Sequence, residues 1–166
     1  MTLLTRIALV LIAAMMSALV SFRAPALIVH NRSPSTPTGF YVRVDRTPVV
    51  GDYVTVPVPA LARAYAASRD FGDESDRFLK RVAAGEGQTV CAIDDTVTID
   101  GRTPLRRVER DGVGHPLPTW EGCRELARDE VFLIGDTDQS FDGRYWGVTA
   151  RRDIDGVWRH LGRQGG

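Results

Sequence analysis

The sequence predicts a mainly β domain, built from antiparallel strands with one or two short helices, behind an N-terminal membrane segment. Short segments rich in β-branched and aromatic residues recur along the chain and are bounded by turn-forming residues. They do not alternate with long helical patterns, so a parallel sheet is not expected. The start of the chain has a different composition, because residues 7–22 carry no charge.

Eight segments have the composition of strands, and their short spacing indicates antiparallel neighbours. The Asp100-Gly101 pair that follows the fifth segment is typical of a two-residue hairpin turn. The eight segments are residues 40–44, 53–58, 78–83, 89–93, 97–99, 131–134, 145–149 and 157–161.

Two segments favour a helix. Residues 59–72 are rich in alanine, with Pro59 near the start and Gly72 as a stop signal. A weaker helical pattern covers residues 120–127. The proline-containing stretch at residues 23–39 is expected to be extended.

The apolar N-terminal segment is long enough to cross a bilayer. Counted from Leu3 to Phe22 it has 20 residues, which is about 30 Å of helix. An uncleaved anchor is the favoured interpretation, and a cleavable signal peptide is the alternative. The predicted organisation is a signal-anchor and juxtamembrane stretch at 1–29, followed by one catalytic domain at 30–166.

Charge and cysteine content restrict the class of protein. The 21 basic and 21 acidic side chains cancel, so no overall field attracts nucleic acid, and we expect no nucleic-acid partner. Cys91 and Cys123 are the only cysteines, and an even pair beyond a membrane segment indicates a disulfide in an oxidising compartment. The alternative is two separate buried thiols.

The chain contains 20 arginines but a single lysine, Lys80, which lies among the apolar residues Phe78, Leu79 and Val82. An arginine stays protonated at any ordinary pH, whereas burial can lower the pKa of a lysine until its neutral amine accepts a proton. Lys80 is therefore a candidate general base. The alternative is a chance lysine on an exposed strand face of an arginine-rich chain.

Ser35 is a candidate nucleophile for such a base, since serine and lysine form a known catalytic pair. Pro34 and Pro37 stiffen the backbone on either side of it, and Gly39 allows close approach of another chain. The alternative is a spacer of serine, threonine and proline next to the membrane.

Four segments, in this order behind an apolar N-terminus, resemble the type I signal peptidases, and among them the branch that matures pilins in conjugative transfer. The likeness covers essentially the whole chain and implies a signal-peptidase-like antiparallel β domain. The segments are SPSTPTGFY (33–41), GDYV (51–54), LKRVAAGEG (79–87) and GDTDQSFDGRYWG (135–147).

The resemblance implies a role for each residue that matches the family pattern. Ser35 would be the nucleophile and Lys80 its general base. Ser33 would supply a hydroxyl to the oxyanion hole, beside the backbone N–H of the nucleophile. Ser140 would hydrogen-bond the lysine.

In the same last segment, Asp142 and Arg144 would form a supporting ion pair. The sequence departs from common family residues at Thr36, Gln88 and Thr137, which affects the expected substrate preference and loop geometry. None of these departures removes a catalytic group.

The implied protein is a serine endopeptidase of the inner membrane, with a single membrane pass and its catalytic domain on the periplasmic side. Its expected partners are a prepilin or preprotein substrate, the membrane and the conjugative transfer apparatus. No metal and no cofactor are expected, because His30, His115 and His160 are scattered without metal-ligand spacing. Product release by hydrolysis or by cyclisation stays open.

Two other classes of protein remain as alternatives. One is a non-catalytic, membrane-tethered β module of a secretion or conjugation apparatus. The other is a repressor-type domain that cleaves itself with a serine–lysine pair, although its DNA-binding segment would replace the apolar N-terminus seen in this sequence.

Overall fold

Antiparallel sheets dominate the computed structural model, which describes residues 5–7, 10–11, 26–69, 71 and 76–162. The strands are β1 (Ile28–Asn31), β2 (Gly39–Val44), β3 (Tyr53–Pro57), β4 (Arg77–Ala84), β5 (Thr89–Ile93), β6 (Thr96–Ile99), β7 (Arg102–Arg106), β8 (Gly122–Glu125), β9 (Glu130–Ile134), β10 (Thr149–Ala150) and β11 (Gly156–His160). Residues 5–7 and 10–11 are helical. Among the described residues from 26 onward, the helices are α1 (Arg63–Ala67) and α2 (Gly143–Trp146), with 3-10 turns at Ala60–Ala62 and Arg151–Asp153.

The strands form two sheets of unequal size. The larger sheet has the order β1-β2-β11-β3-β4-β9-β10, and the smaller has the order β7-β6-β5-β8. Neighbouring strands are antiparallel in both. The predicted class, mainly antiparallel β with few short helices, is confirmed.

Strands β4 and β9 connect two hydrophobic cores, because successive residues of a strand point to opposite faces. On β9, Val131 and Leu133 pack in the core of the larger sheet, whereas Phe132 and Ile134 pack in the core beside the smaller sheet. Burying a side chain of this size contributes about 1.5–3 kcal/mol. The two cores therefore hold β4 and β9 rigidly at the centre of the molecule.

The smaller sheet contains the disulfide. Cys91 on β5 lies directly across from Cys123 on β8, and their sulfur atoms are bonded. The bond links two adjacent strands, so it fixes their register as well as closing the chain between them.

The predicted helix at residues 120–127 is wrong. Residues Gly122–Glu125 form strand β8 and pair with β5. Gly122 has a φ of +101°, which is outside the helical region. Pairing with β5 satisfies the backbone groups that a helix would otherwise satisfy, so tertiary structure overrides the weak local pattern.

The predicted strand at residues 145–149 is also wrong over most of its length. Gly143–Trp146 form the short helix α2, and only Thr149–Ala150 continue as strand β10. The Asp142 side chain accepts a hydrogen bond from the Arg144 N–H and caps the helix. Aromatic content alone therefore misidentified this segment.

Most of the N-terminal apolar segment lies outside the described residues, as do Gly72 and the last four residues. Among the residues that are described, no helix is both long and apolar enough to cross a membrane. The anchor and the division at residue 30 stay predictions.

Candidate active site

The loop of residues 32–38, here called the Ser35 loop, connects β1 to β2 and is closed by hydrogen bonds from one side chain. Asn31, the last residue of β1, accepts from the Ser33 N–H through Oδ1 at 3.0 Å. Its Nδ2 donates to the Ser33 carbonyl at 2.8 Å and to Thr36 Oγ1 at 2.9 Å. Asn31 thus contacts the loop on both sides of Ser35.

Ser33 and Ser35 lie side by side in this loop. Their hydroxyl oxygens are 3.0 Å apart, and the Ser35 N–H donates to Ser33 Oγ at 3.3 Å. The Ser35 carbonyl accepts from the backbone N–H of Asp136 at 2.7 Å. Ser35 is half-buried, so its hydroxyl is accessible while its backbone is held.

Lys80 occupies the middle of β4, where it pairs with Val54 of β3 and is only 4% exposed. Its Nζ donates to Ser140 Oγ at 3.0 Å and lies 5.7 Å from the centre of the Phe78 ring. Burial lowers the pKa of Lys80 to about 8, and the nearby Asp142 carboxylate opposes that shift in part. The alternative of a lysine on an exposed strand face does not agree with this burial.

Residues 135–144, here called the support segment, surround an ion pair that is almost completely buried. The Asp142 carboxylate accepts from Arg144 Nη2 at 2.8 Å and from the Gly135 N–H at 2.8 Å. Arg144 also donates to the backbone carbonyls of Thr137 and Ser140. Because both charges are fully paired and hydrogen-bonded, they can stay ionised out of water.

Gly135 is the point at which the Ser35 loop and the support segment touch. A Cβ atom at this position would lie 2.0 Å from Ser140 Oγ and 2.6 Å from the Ser35 carbonyl oxygen. Any larger side chain would separate these two groups. Only glycine therefore allows the loop with Ser35 to approach the residue that contacts Lys80.

Asp136, the residue after Gly135, also fixes the contact between the Ser35 loop and the support segment. Its carboxylate accepts from Arg81 Nε at 2.6 Å and from the Tyr53 hydroxyl at 2.9 Å. Burial, together with this carboxylate, raises the pKa of Tyr53. Two strands of the larger sheet thereby fix the residue whose N–H binds the Ser35 carbonyl.

The candidate residues from the two regions line one pocket of about 630 Å³. Ser33, Ser35, Lys80 and Ser140 all contribute to its wall. In the described part of the chain, no hydrogen bond joins Ser35 Oγ directly to Lys80 Nζ. Ser35 Oγ accepts from the Ser33 hydroxyl instead, and Lys80 Nζ donates to Ser140 Oγ. The arrangement brings a hydroxyl, a desolvated amine and a second hydroxyl to one cavity.

Two other candidate groups lie away from the cavity wall. The Asp142–Arg144 pair is packed behind Ser140 and does not line the pocket. The disulfide lies in the smaller sheet. None of the three histidines lines the pocket.

A further wall of the pocket comes from α1 and the residues after it. Tyr65 and Arg69 line the cavity, and both donate to the Asp111 carboxylate, at 3.1 and 2.8 Å. Asp111 lies in the loop between β7 and β8 of the smaller sheet, where it also contacts His115. The loop after β7 therefore holds this wall in place.

Sequence reasoning missed Asn31 and Asp111, and it did not assign a role to Gly135. Asparagine side chains often hydrogen-bond the backbone two residues further on, so the turn at Asn31 could have been predicted. The contact of Asp111 with α1 joins residues more than 40 positions apart. No local pattern encodes such a contact.

Comparison with known proteins places these features in context. The family model described as signal peptidase, peptidase S26, matches residues 1–161. Two Escherichia coli proteins, both named plasmid transfer protein TraF, are 31% identical to this chain. One alignment spans 159 residues, 89% of this chain and 88% of the relative, and the other spans 140 residues, 78% of this chain and 79% of the relative.

The chain also matches a solved structure. It is a signal peptidase I from Enterococcus faecalis V583, which is 22% identical and has a TM-score of 0.39. The match covers 68% of this chain and 97% of the other.

Proposed function

The chain belongs to the signal peptidase family, peptidase S26, and we propose that it is a serine endopeptidase in which Ser35 is the nucleophile and Lys80 the general base. The observation that carries this proposal is the single lysine of the chain, buried in a pocket that it shares with Ser35. A lysine costs free energy to bury, and a neutral amine is the form that burial favours.

The first chemical step transfers a proton and forms an ester. Rotation about the Ser35 side-chain bond moves its hydroxyl from Ser33 towards Lys80. The neutral amine takes the hydroxyl proton as Ser35 Oγ attacks the scissile carbonyl carbon. The carbon–nitrogen bond then breaks, and the proton passes from Lys80 to the leaving amine.

The negative charge on the carbonyl oxygen needs donors during this step. The Ser33 hydroxyl donates to Ser35 Oγ at 3.0 Å and accepts from the Ser35 N–H at 3.3 Å. Once Ser35 Oγ has turned away, the Ser33 hydroxyl is free to donate, and the Ser35 N–H would turn from Ser33 Oγ to the oxyanion. These two groups would form the oxyanion hole. Donors of this kind act on charge that exists only in the transition state.

Ser140 and the ion pair behind it would orient the base. Ser140 Oγ accepts from Lys80 Nζ, and Arg144 holds the Ser140 carbonyl. The amine therefore keeps one position as it gains and loses a proton.

The second step releases the acyl group from Ser35. Water can attack the ester and give a linear product. The N-terminal amine of the same substrate can attack instead, which closes a cyclic product and leaves the enzyme unchanged. Lys80 takes the proton from whichever nucleophile attacks and passes it to Ser35 Oγ as the ester carbon–oxygen bond breaks, which restores the serine and the neutral amine.

The substrate would bind as an added strand. Residues 78–80 of β4 pair with β3 on one side, while pairing with β9 on the other side begins only at Arg81. In the described chain this leaves a backbone edge at the pocket, where an extended peptide can form main-chain hydrogen bonds.

The natural substrate would be a precursor protein of conjugative transfer, a prepilin or a signal-peptide-bearing preprotein. Support comes from the two similar proteins, which are named for plasmid transfer. The apolar segment that ends at Phe22 would anchor the enzyme in the inner membrane, with the catalytic domain on the periplasmic side. Ser35, 13 residues further on, would then work close to the bilayer surface.

The test is cleavage of a prepilin or an Ala-x-Ala preprotein in proteoliposomes by the full chain, compared with Ser35→Ala and Lys80→Arg. We expect only the wild type to cut, because arginine cannot act as the base. Arg159→Lys is the control. It exchanges arginine and lysine at an exposed position on β11, and this variant should cut the precursor at the wild-type rate. Cleavage by Lys80→Arg at the wild-type rate would contradict the dyad and favour a non-catalytic module.

Mass spectrometry of the product distinguishes the two modes of release. A cyclic product is lighter than the linear one by one water molecule and has no free N-terminus. This measurement uses the same reaction and needs no variant.

A further inference from the structure

Asn31 is the only asparagine in the chain, as Lys80 is the only lysine. It is half-buried at the end of β1, directly across from Gly39 at the start of β2. These two residues are the fixed ends of the Ser35 loop. Asn31 also lines the pocket that contains Ser35.

We infer that Asn31 is the positioning residue for the catalytic serine, in that its amide holds the Ser35 loop in the conformation that presents Ser33 and Ser35 to the pocket. This inference rests on the proposed serine peptidase function and adds a residue to it. Asn31 acts through the loop and contacts neither reacting atom.

The hydrogen bonds are distributed so that both flanks of Ser35 are fixed. On the N-terminal flank, Asn31 binds the N–H and the carbonyl of Ser33. On the C-terminal flank, its Nδ2 lies 2.9 Å from Thr36 Oγ1 and 3.1 Å from the carbonyls of Thr36 and Pro37. Ser35 itself is left without a bond to Asn31, so its hydroxyl stays available for reaction.

A second layer makes the C-terminal flank rigid. Thr36 is 1% exposed, and the fully buried Tyr41 donates its hydroxyl to the Pro37 carbonyl at 2.7 Å. The Asn31 amide thus connects the solvent-facing half of the loop to groups anchored in the larger sheet.

The chemistry of the contacts explains why the residue is an amide. The loop offers Asn31 one donor, the Ser33 N–H, and four acceptors. The Asn31 oxygen accepts from the Ser33 N–H, and the two hydrogens of Nδ2 are shared among the four acceptors, so a side chain with both an acceptor and an NH₂ group is needed here. An aspartate has the same shape but no donor when ionised, and its charge would face three carbonyl oxygens.

The experiment measures the enzyme under single-turnover conditions, with the full chain in excess over the precursor that the wild type cuts. We expect Asn31→Asp to lower the rate constant about a hundredfold, since a displaced nucleophile loses alignment with the carbonyl. The enzyme concentration that gives half of the maximal rate constant should stay within about twofold, because binding of the peptide does not depend on serine alignment.

A matched pair of variants separates positioning from simple loss of folding. Thr36→Val removes the hydroxyl that Asn31 binds and should be slower. Thr119→Val makes the same exchange at an exposed position outside the pocket and should retain the wild-type rate constant. Active enzyme remains in excess even if part of a sample is unfolded, so the rate constant reports the folded molecules alone. A wild-type rate constant for Asn31→Asp overturns the inference.

A measurement that needs no activity completes the test. Hydrogen exchange of the full chain should be faster in residues 32–38 of Asn31→Asp, with β2 and β11 unchanged. If the wild type cuts no precursor, the proposed function fails, and the exchange result still decides whether Asn31 orders the loop. Equal exchange in the two proteins overturns the inference by itself.

Discussion

The Ser35 loop and the support segment face the same pocket, but they are stabilised in opposite ways. The loop is largely exposed and is held by the neutral Asn31 amide, partly through hydrogen bonds at the surface. The support segment is buried and is held by a paired carboxylate and guanidinium, 0% and 2% exposed. A nucleophile must be reached by a large peptide, whereas its base must be kept out of water.

This difference also predicts what each region contributes to stability and to activity. Surface hydrogen bonds add about 0.5–1.5 kcal/mol each to stability, so losing one in the loop should change geometry more than folding. Removing one partner of a buried ion pair leaves an uncompensated charge and is far more costly. Stability and activity should therefore separate between the two regions.

The largest effect is expected when the buried pair is broken. Asp142→Ala should lower the free energy of unfolding by about 3–5 kcal/mol, because Arg144 would be buried without its partner. Urea unfolding of the full chain in detergent measures this. Asp153→Ala is the control, since Asp153 is half-exposed and lies 4.0 Å from Arg152. Equal losses of unfolding free energy in Asp142→Ala and Asp153→Ala would contradict the expected cost of breaking the buried ion pair.

The next effect is expected in the loop, and on activity rather than stability. Ser33→Ala should lower kcat about a hundredfold by removing an oxyanion donor, with the free energy of unfolding changed by about 1 kcal/mol or less. Ser68→Ala removes another exposed serine hydroxyl, which binds the Tyr65 carbonyl, and should leave kcat unchanged. A Ser33→Ala enzyme that is fully active would remove Ser33 from the mechanism.

The pH dependence of the wild type tests the buried lysine. Its pKa of about 8 predicts a kcat/KM that rises about tenfold between pH 7 and pH 9 and then levels. A profile that is flat over this range would show that Lys80 is not the base.

Stability should change with pH in the same direction. Below pH 8 both the folded and the unfolded chain bind the proton of Lys80. Between about 8 and the ordinary value of 10.5 only the unfolded chain does, so the free energy of unfolding rises with pH. Lys80→Met lacks this contribution, and the difference between the two proteins isolates it.

The smallest effect is expected at the contact between the support segment and the base. Ser140→Ala should lower kcat about three- to tenfold, the value of one neutral hydrogen bond. The midpoint of its pH profile should fall below that of the wild type, because the lost acceptor stabilised the charged amine. A midpoint above the wild-type value would contradict this role for Ser140.

Much of this architecture could be predicted from the sequence. Alternation of β-branched residues located most strands of the larger sheet, and the order of four short segments identified the family, which the comparisons confirm. These patterns depend on residues that are close in the sequence, so they can be recognised without knowledge of the fold. The roles of Ser35 and Lys80 came from the family resemblance and stay predictions.

Three of the errors and omissions share one physical cause. The segment at 120–127 became a strand because β5 lies beside it, and Asn31 has a role because the chain returns after it to close a loop. Likewise, the residues around Gly135 in the sequence do not show that the Ser35 carbonyl lies against it in the fold. In each case the contact that decides the structure joins residues that are not adjacent in the sequence.

The position of β11 has a consequence for biosynthesis. This strand lies between β2 and β3 in the larger sheet, so it joins the half of the sheet that leads to Ser35 to the half that carries Lys80. The ribosome makes β11 after every other described strand. The nascent chain therefore cannot complete the larger sheet until residues 156–160 have emerged from the ribosome.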